Sequence, residues 1–311
     1  MRIERGTFKS PADGIDVHAV AVLPNGEPKA IVQLAHGMLE HKERYLPFME
    51  YLAGRGYLCC INDHRGHGET SRDSLGYFGE NGGEALVEDM HELTKLLKKG
   101  HEKLPFFLFG HSMGSLAVRA YTKRYDSELD GLIVCGCPSK NPGAGAGYAL
   151  VSVLSKIKGE RGYSKMIHKM VDGNFNKKYE KLGDGTSWTS SDPAAVKAYV
   201  DDPLCSFWFT LNGYKSLLWL MRECYSKRGW AMDNPELPIL FVSGGDDVCR
   251  ISDRKLEDAA RHLRDRGYDL PEVRIWPGMR HEILNERDKD KVFRDLGDTL
   301  DEWTEKAGNG Q

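Results

Sequence analysis

Short apolar runs alternate with amphipathic segments along most of the chain. Many of the runs end in glycine-containing turns, and most of the segments between them carry apolar residues at helical spacing. This alternation is typical of parallel strands joined by crossover helices, and it predicts a doubly wound α/β sheet. The predicted strands are residues 15–23, 30–35, 57–62, 105–109, 131–136, 238–243 and 272–276. The predicted helices are residues 44–54, 84–98, 112–125, 252–266 and 288–306.

The alternation breaks after Gly136, and the next predicted strand begins only at residue 238. The stretch 151–190 holds eight Lys or Arg against four Asp or Glu, and from Phe207 the chain becomes apolar and aromatic, as FWFTLNGYKSLLWLM. We expect an inserted helical cap at 140–235, with 1–139 and 236–311 forming one core. The apolar face of the insertion either buries its own core or lines a substrate pocket, and these interpretations are compatible.

Composition excludes several classes of protein. The chain has 311 residues, of which 40% are hydrophobic and 29% charged, so it is not mainly disordered. Its net charge of -3 lacks the basic excess of nucleic-acid-binding proteins, and no nucleic-acid partner is expected. The seven cysteines contain no C-x-x-C pair and are expected to be reduced thiols. The N-terminal MRIERGTFKS has no apolar signal segment, and we expect a cytoplasmic protein.

A serine lies where a predicted strand meets a predicted helix. The run FFLF leads directly into GHSMG at 110–114, after which apolar residues continue at helical spacing. A serine at such a sharp turn has a strained backbone and a hydroxyl that projects above the sheet, and small flanking residues prevent collisions there. The pattern predicts Ser112 as a nucleophile, and the alternative is an ordinary helix-capping serine.

A serine hydroxyl reacts at neutral pH only when an imidazole takes its proton and a carboxylate orients that imidazole. In doubly wound folds such groups collect at the carboxyl ends of strands, in the chain order Ser, acid, His. GGDD follows the strand at 238–243, and PGMRH follows the strand at 272–276. We therefore predict His281 as the base and Asp247 as the acid, with Asp246 as the alternative acid.

Acyl transfer also needs N–H donors for the oxyanion that develops on the carbonyl. The amide of Met113 lies at the predicted helix start beside Ser112. The loop HGMLEH at 36–41 follows another strand, and Gly37 permits a tight turn there. We predict the amide of Met38 as the second donor, and the alternative for Met38 is a plain core methionine.

Two further motifs are not expected to bind cofactors. DHRGHG at 63–68 offers two histidines and an aspartate, but without helical ligand spacing or another ligand cluster nearby in the sequence. NPGAGAG at 141–147 has no following Lys-Ser or Lys-Thr, as a phosphate-binding loop would. We expect neither a metal nor a cofactor.

The motifs together resemble those of α/β-hydrolase-fold serine hydrolases related to monoacylglycerol lipases and lysophospholipases, which are serine aminopeptidase S33-like enzymes. The resemblance implies an eight-stranded, mostly parallel sheet with helices on both faces and an inserted cap. It carries the nucleophile to Ser112, the acid to Asp247 and the base to His281, and the oxyanion amides to Met38 and Met113. The matching segments are HGMLEHKERY, DHRGHG, GHSMGS, GGDD and PGMRHEILNE.

The resemblance implies a carboxylic-ester hydrolase that forms an acyl-serine intermediate on a small acyl ester, without cofactor. The alternatives are an aminopeptidase of the proline-iminopeptidase kind and a non-catalytic binding protein on the same fold. An aminopeptidase needs cap carboxylates for its substrate ammonium, whereas the first part of this insertion is basic. The basic stretch and the aromatic segment also suggest transient contact of the cap with a lipid surface. No oligomeric state is predicted.

Overall fold

A sheet of eight strands forms the centre of the molecule. The computed structural model describes residues 1–171, 175–182 and 185–309, and the sheet lies within these ranges. Its strands are β1 (Arg2–Lys9), β2 (Asp16–Leu23), β3 (Ala30–Ala35), β4 (Tyr57–Asn62), β5 (Phe106–His111), β6 (Gly131–Cys135), β7 (Ile239–Gly244) and β8 (Glu272–Trp276).

The strand order is β1-β2-β4-β3-β5-β6-β7-β8. Strand β2 pairs antiparallel with β1 and with β4, and every pair from β4 onward is parallel. Parallel pairing places the carboxyl ends of β3, β5, β6, β7 and β8 at one edge of the sheet. The loops that carry the candidate chemistry all leave from this edge.

Helices cover both faces of the sheet. The α-helices of the described residues are α1 (Leu46–Gly54), α2 (Gly82–Lys98), α3 (Met113–Tyr125), α4 (Ala144–Lys158), α5 (Lys165–Val171), α6 (Pro193–Asp201), α7 (Leu211–Cys224), α8 (Asp253–Arg264) and α9 (Lys289–Asn309). Short 3₁₀ helices span Lys42–Tyr45, Asp126–Glu128, Phe175–Leu182 and Ile283–Asn285.

The core has two halves, one on each face of the sheet. All six residues of β3, β4, β5 and β7 are buried, as expected for central strands that are covered on both sides. Alternate residues point to opposite faces, so Phe106 and Leu108 join one cluster and Phe107 and Phe109 join the other.

The predicted fold class is confirmed, and so are seven of the eight strands, within about two residues at their ends. Strand β1 was not predicted. Its residues RIERGTFK lie at the sheet edge and nearly all are exposed, so they carry no apolar signal. The helix expected at 44–54 begins as a 3₁₀ turn, Lys42–Tyr45, before α1.

Helices α4 to α7 lie between β6 and β7, within the insertion expected from the sequence. Helix α7 packs against α2, α3 and α4, so the insertion contacts the helices of the core. Residues 172–174 and 183–184 of the expected cap lie outside the described residues, and the division at 140–235 stays a prediction. Across the described part of the chain, no helix is both long and apolar enough to cross a bilayer.

Candidate active site

Ser112 lies in a strained turn between β5 and α3. Its φ of 53° and ψ of -116° are unusual for a residue with a side chain, and its N–H donates to the carbonyl oxygen of Cys135 at 3.0 Å. A Cβ at Gly114 would overlap the carbonyl oxygen of Ala35. Glycine therefore lets α3 start directly against the end of β3, which brings the Ser112 turn close to the loop that follows β3.

Asp247 and His281 meet at the ends of β7 and β8. His281 Nδ1 donates to Asp247 Oδ1 over 2.9 Å, and both side chains are buried. Asp247 also accepts from the N–H of Cys249 at 2.8 Å and from the hydroxyl of Ser243 at 3.0 Å. These bonds fix the carboxylate and engage Nδ1 of His281, so that Nε2 is the ring nitrogen that Asp247 does not bind.

The electrostatics favour an ionised Asp247. Burial alone would raise its pKa, but attraction to His281, the hydrogen bond from that ring and the donors Cys249 and Ser243 hold the pKa below its usual range. Asp246, the alternative acid, lies at the surface side of the loop and pairs with Lys178 at 2.7 Å. The geometry thus distinguishes the two neighbouring aspartates.

Ser112 and His281 line the same cavity. In the described residues no hydrogen bond joins the Ser112 hydroxyl to His281, and the partner of Nε2 is the Cys249 thiol at 3.9 Å. Such contacts are often long in unliganded enzymes and shorten in the substrate complex. Trp188 lies over the His281 ring with a centroid distance of 4.9 Å, and it shields the imidazole from solvent.

Met38 and Met113 both line the cavity, and among the described residues no hydrogen bond from either N–H is found. The N–H of Gly37 is engaged instead by the Glu40 carboxylate. Two unoccupied N–H donors at a helix start and an adjacent loop are suited to stabilise an oxyanion. Leu39 has a φ of 58°, a region that favours glycine, and holding it there costs roughly 1–2 kcal/mol.

The cavity has a volume of about 760 Å³, within the roughly 300–1,000 Å³ usual for ligand pockets. Most of its wall is apolar and includes residues of α4, α5 and α7, and Ser112 and His281 line the same cavity. Its carboxylates, Glu40 and Glu282, are both bound to Arg44. The cavity is therefore suited to a long apolar group with a reactive polar end.

The DHRGHG segment is buried scaffolding. Arg65 donates to Asp89 at 2.9 Å, and Asp63 accepts from Lys42 at 2.8 Å. Burial, the largest effect on each ring, together with charge repulsion between neighbouring histidines, lowers the pKa values of His64 and His67 to about 3. Neutral rings pack there against other aromatic rings.

Two other clusters place His, Cys and Asp close together, and hydrogen bonds account for both. His41 Nε2 donates to Asp202 at 2.8 Å beside the buried Cys205, and this contact links the loop after β3 to the insertion. The second cluster is Asp247, Cys249 and His281. We assign a metal to neither.

Sequence reasoning missed a charged network beneath the site. Glu40 accepts from the ring of His111 at 3.0 Å and from Arg44 at 2.9 Å, and Arg44 forms two hydrogen bonds with Glu282. Glu40 and His111 each stand inside a motif that was recognised, but their partners are distant in sequence. Only the polar character of Glu40 in the loop after β3 and of His111 at the end of β5 could have indicated a role.

Comparisons with known proteins agree with this geometry. Residues 26–288 match the model of the family described as serine aminopeptidase, S33. A monoacylglycerol lipase of Mycolicibacterium smegmatis is 30% identical over 277 residues, which cover 88% of this chain and 88% of that protein. Human monoglyceride lipase is 30% identical over 291 residues, covering 92% and 86%.

A solved structure gives the same result for the fold. A thermostable carboxyl esterase from Bacillus coagulans, crystallised with glycerol, superposes with a TM-score of 0.88 at 27% identity. The superposition covers 98% of this chain and 99% of the esterase, so the inserted helices are part of the shared architecture.

Proposed function

The chain belongs to the serine aminopeptidase S33 family of α/β-hydrolases, and we propose that it is a serine carboxylic-ester hydrolase of the monoacylglycerol lipase type. The observation that carries this proposal is the placement of Ser112, at a strained strand-to-helix turn, in one cavity with the buried Asp247–His281 pair. Both lipase relatives align over most of their length, which supports the same class of activity here.

The residues divide the chemistry between them. Ser112 attacks the ester carbonyl while His281 Nε2 takes its proton, and the oxyanion binds the N–H groups of Met38 and Met113. His281 then protonates the departing alcohol, and a water molecule repeats the sequence to release the acid. Asp247 holds the ring in the tautomer that leaves Nε2 free and stabilises the imidazolium that forms.

The cavity favours an acyl ester over a peptide with a free amino terminus. A substrate ammonium would need an available carboxylate, yet Glu40 and Glu282 are held by Arg44, and Glu40 also accepts from His111. The wall contributed by α4, α5 and α7 offers apolar contact for an acyl chain. A non-catalytic binding role would leave the buried Asp247–His281 pair without purpose.

A substrate panel tests the proposal. We expect the protein to hydrolyse monoacylglycerols and p-nitrophenyl esters of medium and long acyl chains, with little activity on proline arylamide. Ser112→Ala should abolish these activities without altering the melting temperature. Faster hydrolysis of the arylamide than of every ester would contradict the assignment.

We also propose that residues 140–235 act as a cap that touches anionic lipid surfaces. Leu150, Val153 and Ile157 share one face of α4, and Met166 and Met170 are exposed on α5. Leu150 and Met170 also line the cavity, which places this apolar face beside its mouth. The net positive charge of 151–190 complements acidic headgroups.

Liposome flotation tests the lipid contact. The double variant Val153→Ser/Ile157→Ser should float less with acidic vesicles than the wild type does. Leu270→Ser is a matched control, because Leu270 is also well exposed (60%, against 73% for Ile157) and lies outside α4 and α5. Equal flotation with neutral vesicles, or an equal loss in the control, would contradict the proposal.

We further infer a cytosolic location. All seven cysteines are buried free thiols, as is usual for proteins kept in a reducing compartment. Cell fractionation should recover the protein with cytosolic markers, and recovery with secreted proteins would contradict this location.

A further inference from the structure

The residue before the nucleophile has a buried imidazole with both nitrogens engaged. His111 is 5% exposed. Its Nδ1 lies 3.0 Å from Glu40 Oε1, and its Nε2 lies 3.2 Å from the backbone carbonyl oxygen of His281. A carbonyl oxygen only accepts hydrogen bonds, and so does an ionised carboxylate. Both ring nitrogens must then carry protons, which makes His111 an imidazolium.

The surroundings of Glu40 require that it is ionised. One oxygen accepts from the N–H of Gly37, the hydroxyl of Tyr45 and the ring of His111, and the other accepts from Arg44. A protonated carboxyl would direct its own hydrogen at one of these donors. Four donors around a single carboxylate therefore fix its negative charge.

The neighbouring charges balance in pairs. Arg44 is neutralised by Glu282, which leaves Glu40 as the counter-ion of His111. Burial would lower the pKa of His111, but Glu40 and Glu282 raise it above its usual value. Burial would likewise raise the pKa of Glu40, but His111 and Arg44 hold it well below its usual value. The groups that face His111 are Glu40, Arg44, Tyr45, Cys135, His281 and Glu282.

Each end of the pair holds a different part of the catalytic site. Glu40 binds the N–H of Gly37, directly before the Met38 amide, and His111 is covalently joined to Ser112. The His111 ring binds the backbone of His281, and the two rings lie 4.7 Å apart. Oxyanion loop, nucleophile and base thus share one buried contact.

We propose that Glu40 and His111 are positioning residues, a buried carboxylate–imidazolium pair that fixes the Met38 loop and the His281 loop on the turn that carries Ser112. The inference rests on the proposed function, since it concerns the same site. As an imidazolium, His111 has no lone pair and is not a second base. Loss of the pair displaces the reacting groups, and a displacement of about 1 Å costs up to about 100-fold in rate.

The pH dependence gives a signature that a purely structural pair would not have. A histidine in the unfolded chain has a pKa of about 6.5. Because the pKa of His111 is raised above this value in the folded protein, the ring stays charged above pH 6.5 and loses its charge only as the pH rises through the raised pKa. Activity should therefore fall on the alkaline side as His111 deprotonates. Glu40→Gln should move this fall to lower pH, and His111→Gln should remove it.

Steady-state kinetics with matched variants test the proposal. Glu40→Gln should lower kcat about 10- to 100-fold with KM within about threefold, while a fluorophosphonate still labels Ser112 at a reduced rate. The control is Asp89→Asn, which breaks the buried pair between Asp89 and Arg65 and should leave kcat and the pH profile unchanged.

Nitrogen-detected NMR of the wild type adds a readout that needs no variant to fold. At pH 7.5 a histidine of ordinary pKa is about nine-tenths neutral, so a ring that is mainly doubly protonated at this pH marks a stabilised imidazolium. We expect such a ring, and we expect His111→Gln to remove its signal.

The outcomes separate the two proposals. A wild type that resists labelling overturns the proposed function together with this inference. If the wild type is labelled, three results would overturn this inference alone. They are a loss of kcat in Glu40→Gln no larger than in Asp89→Asn, an alkaline fall in activity at the same pH in both site variants as in the wild type, and neutral rings for all histidines at pH 7.5.

Discussion

Mild acid should destabilise the protein through three buried histidines beside the active site. His36 Nε2 accepts from the N–H of His64 at 2.9 Å, and its Nδ1 donates to the carbonyl of Gly37, so this ring must be neutral. His67 accepts from the N–H of Leu39 in the same way. Burial first, and then mutual repulsion, lowers all three pKa values to about 3.

The magnitude follows from proton linkage. These folded-state pKa values lie below the unfolded value of about 6.5, so the unfolded chain binds more protons between pH 6.5 and 3. Stability is fully present above pH 6.5 and falls as the pH drops. At pH 5 each ring lowers the free energy of unfolding by about 2 kcal/mol, and the three rings together lower it by about 6 kcal/mol. This is a large part of the roughly 5–15 kcal/mol that is typical for a folded protein.

Other histidines change this sum only moderately. The pKa of His262 is lowered to about 4, mainly by burial, and it adds to the loss. The raised pKa of His111 acts in the opposite direction, because its stabilisation is present at low pH and fades as the pH rises. Carboxylates with lowered pKa values contribute little at pH 5, since their unfolded values lie near 4.

Urea unfolding at pH 7.5, 6.5, 5.5 and 5.0 measures the effect. With all three rings, the free energy of unfolding should change by about 4 kcal/mol per pH unit near pH 5, and His64→Leu should remove about a third of this slope. His64 suits this test because neither of its ring nitrogens has a partner among the described residues. His101→Gln, in a surface loop, serves as the control. A free energy of unfolding that changes by less than about 1 kcal/mol between pH 7.5 and 5, or an unchanged slope in His64→Leu, would show that the fold does not hold these rings neutral.

Three further predictions concern the site. Asp247→Asn should lower kcat about 10⁴-fold, because the amide favours the wrong tautomer of His281, whereas Asp246→Asn should keep nearly the wild-type kcat. Initial-rate kinetics measure both variants, and equal kcat values would show that the acid is misassigned. Gly114→Ala should destabilise the fold by about 1–3 kcal/mol in thermal unfolding through overlap with the end of β3, and an unchanged melting temperature would contradict the close packing there. Gly147→Val should shift ester preference toward shorter acyl chains, because Gly147 lines the cavity next to Leu218, and an unchanged chain-length profile would place the acyl group elsewhere.

Most of the sheet could be predicted because its central strands are buried on both faces and form continuous apolar runs. Strand β1 could not, since an exposed edge strand such as RIERGTFK is held by backbone pairing with β2 rather than by apolar burial. The bounds of α4 to α6 were also beyond sequence reasoning. Their exposed faces carry apolar residues such as Val153 and Ile157, which weakens the helical period.

Some residues of the candidate site could likewise be predicted from the local sequence, and others could not. Ser112 and His281 could be predicted as nucleophile and base because each follows a strong strand within a short motif, and these roles stay predictions. Sequence position favoured Asp247 as the acid and left Asp246 as the alternative, and in the structure Asp247 is bound to His281 and Asp246 to Lys178. The pairing of Glu40 with His111 joins residues 71 positions apart, and no local pattern encodes such a contact.

The proposed chemistry requires Ser112 to be the nucleophile, and covalent labelling identifies the nucleophile itself. Wild-type protein and Ser112→Ala should be treated with a fluorophosphonate, digested and mapped by mass spectrometry, with ester hydrolysis measured in parallel. We expect one phosphonylated residue, Ser112, and a variant that is unlabelled and keeps less than about 1% of the activity, because loss of a triad serine costs on the order of 10⁶ in kcat. Labelling at another serine, or substantial hydrolysis by Ser112→Ala, would contradict this assignment.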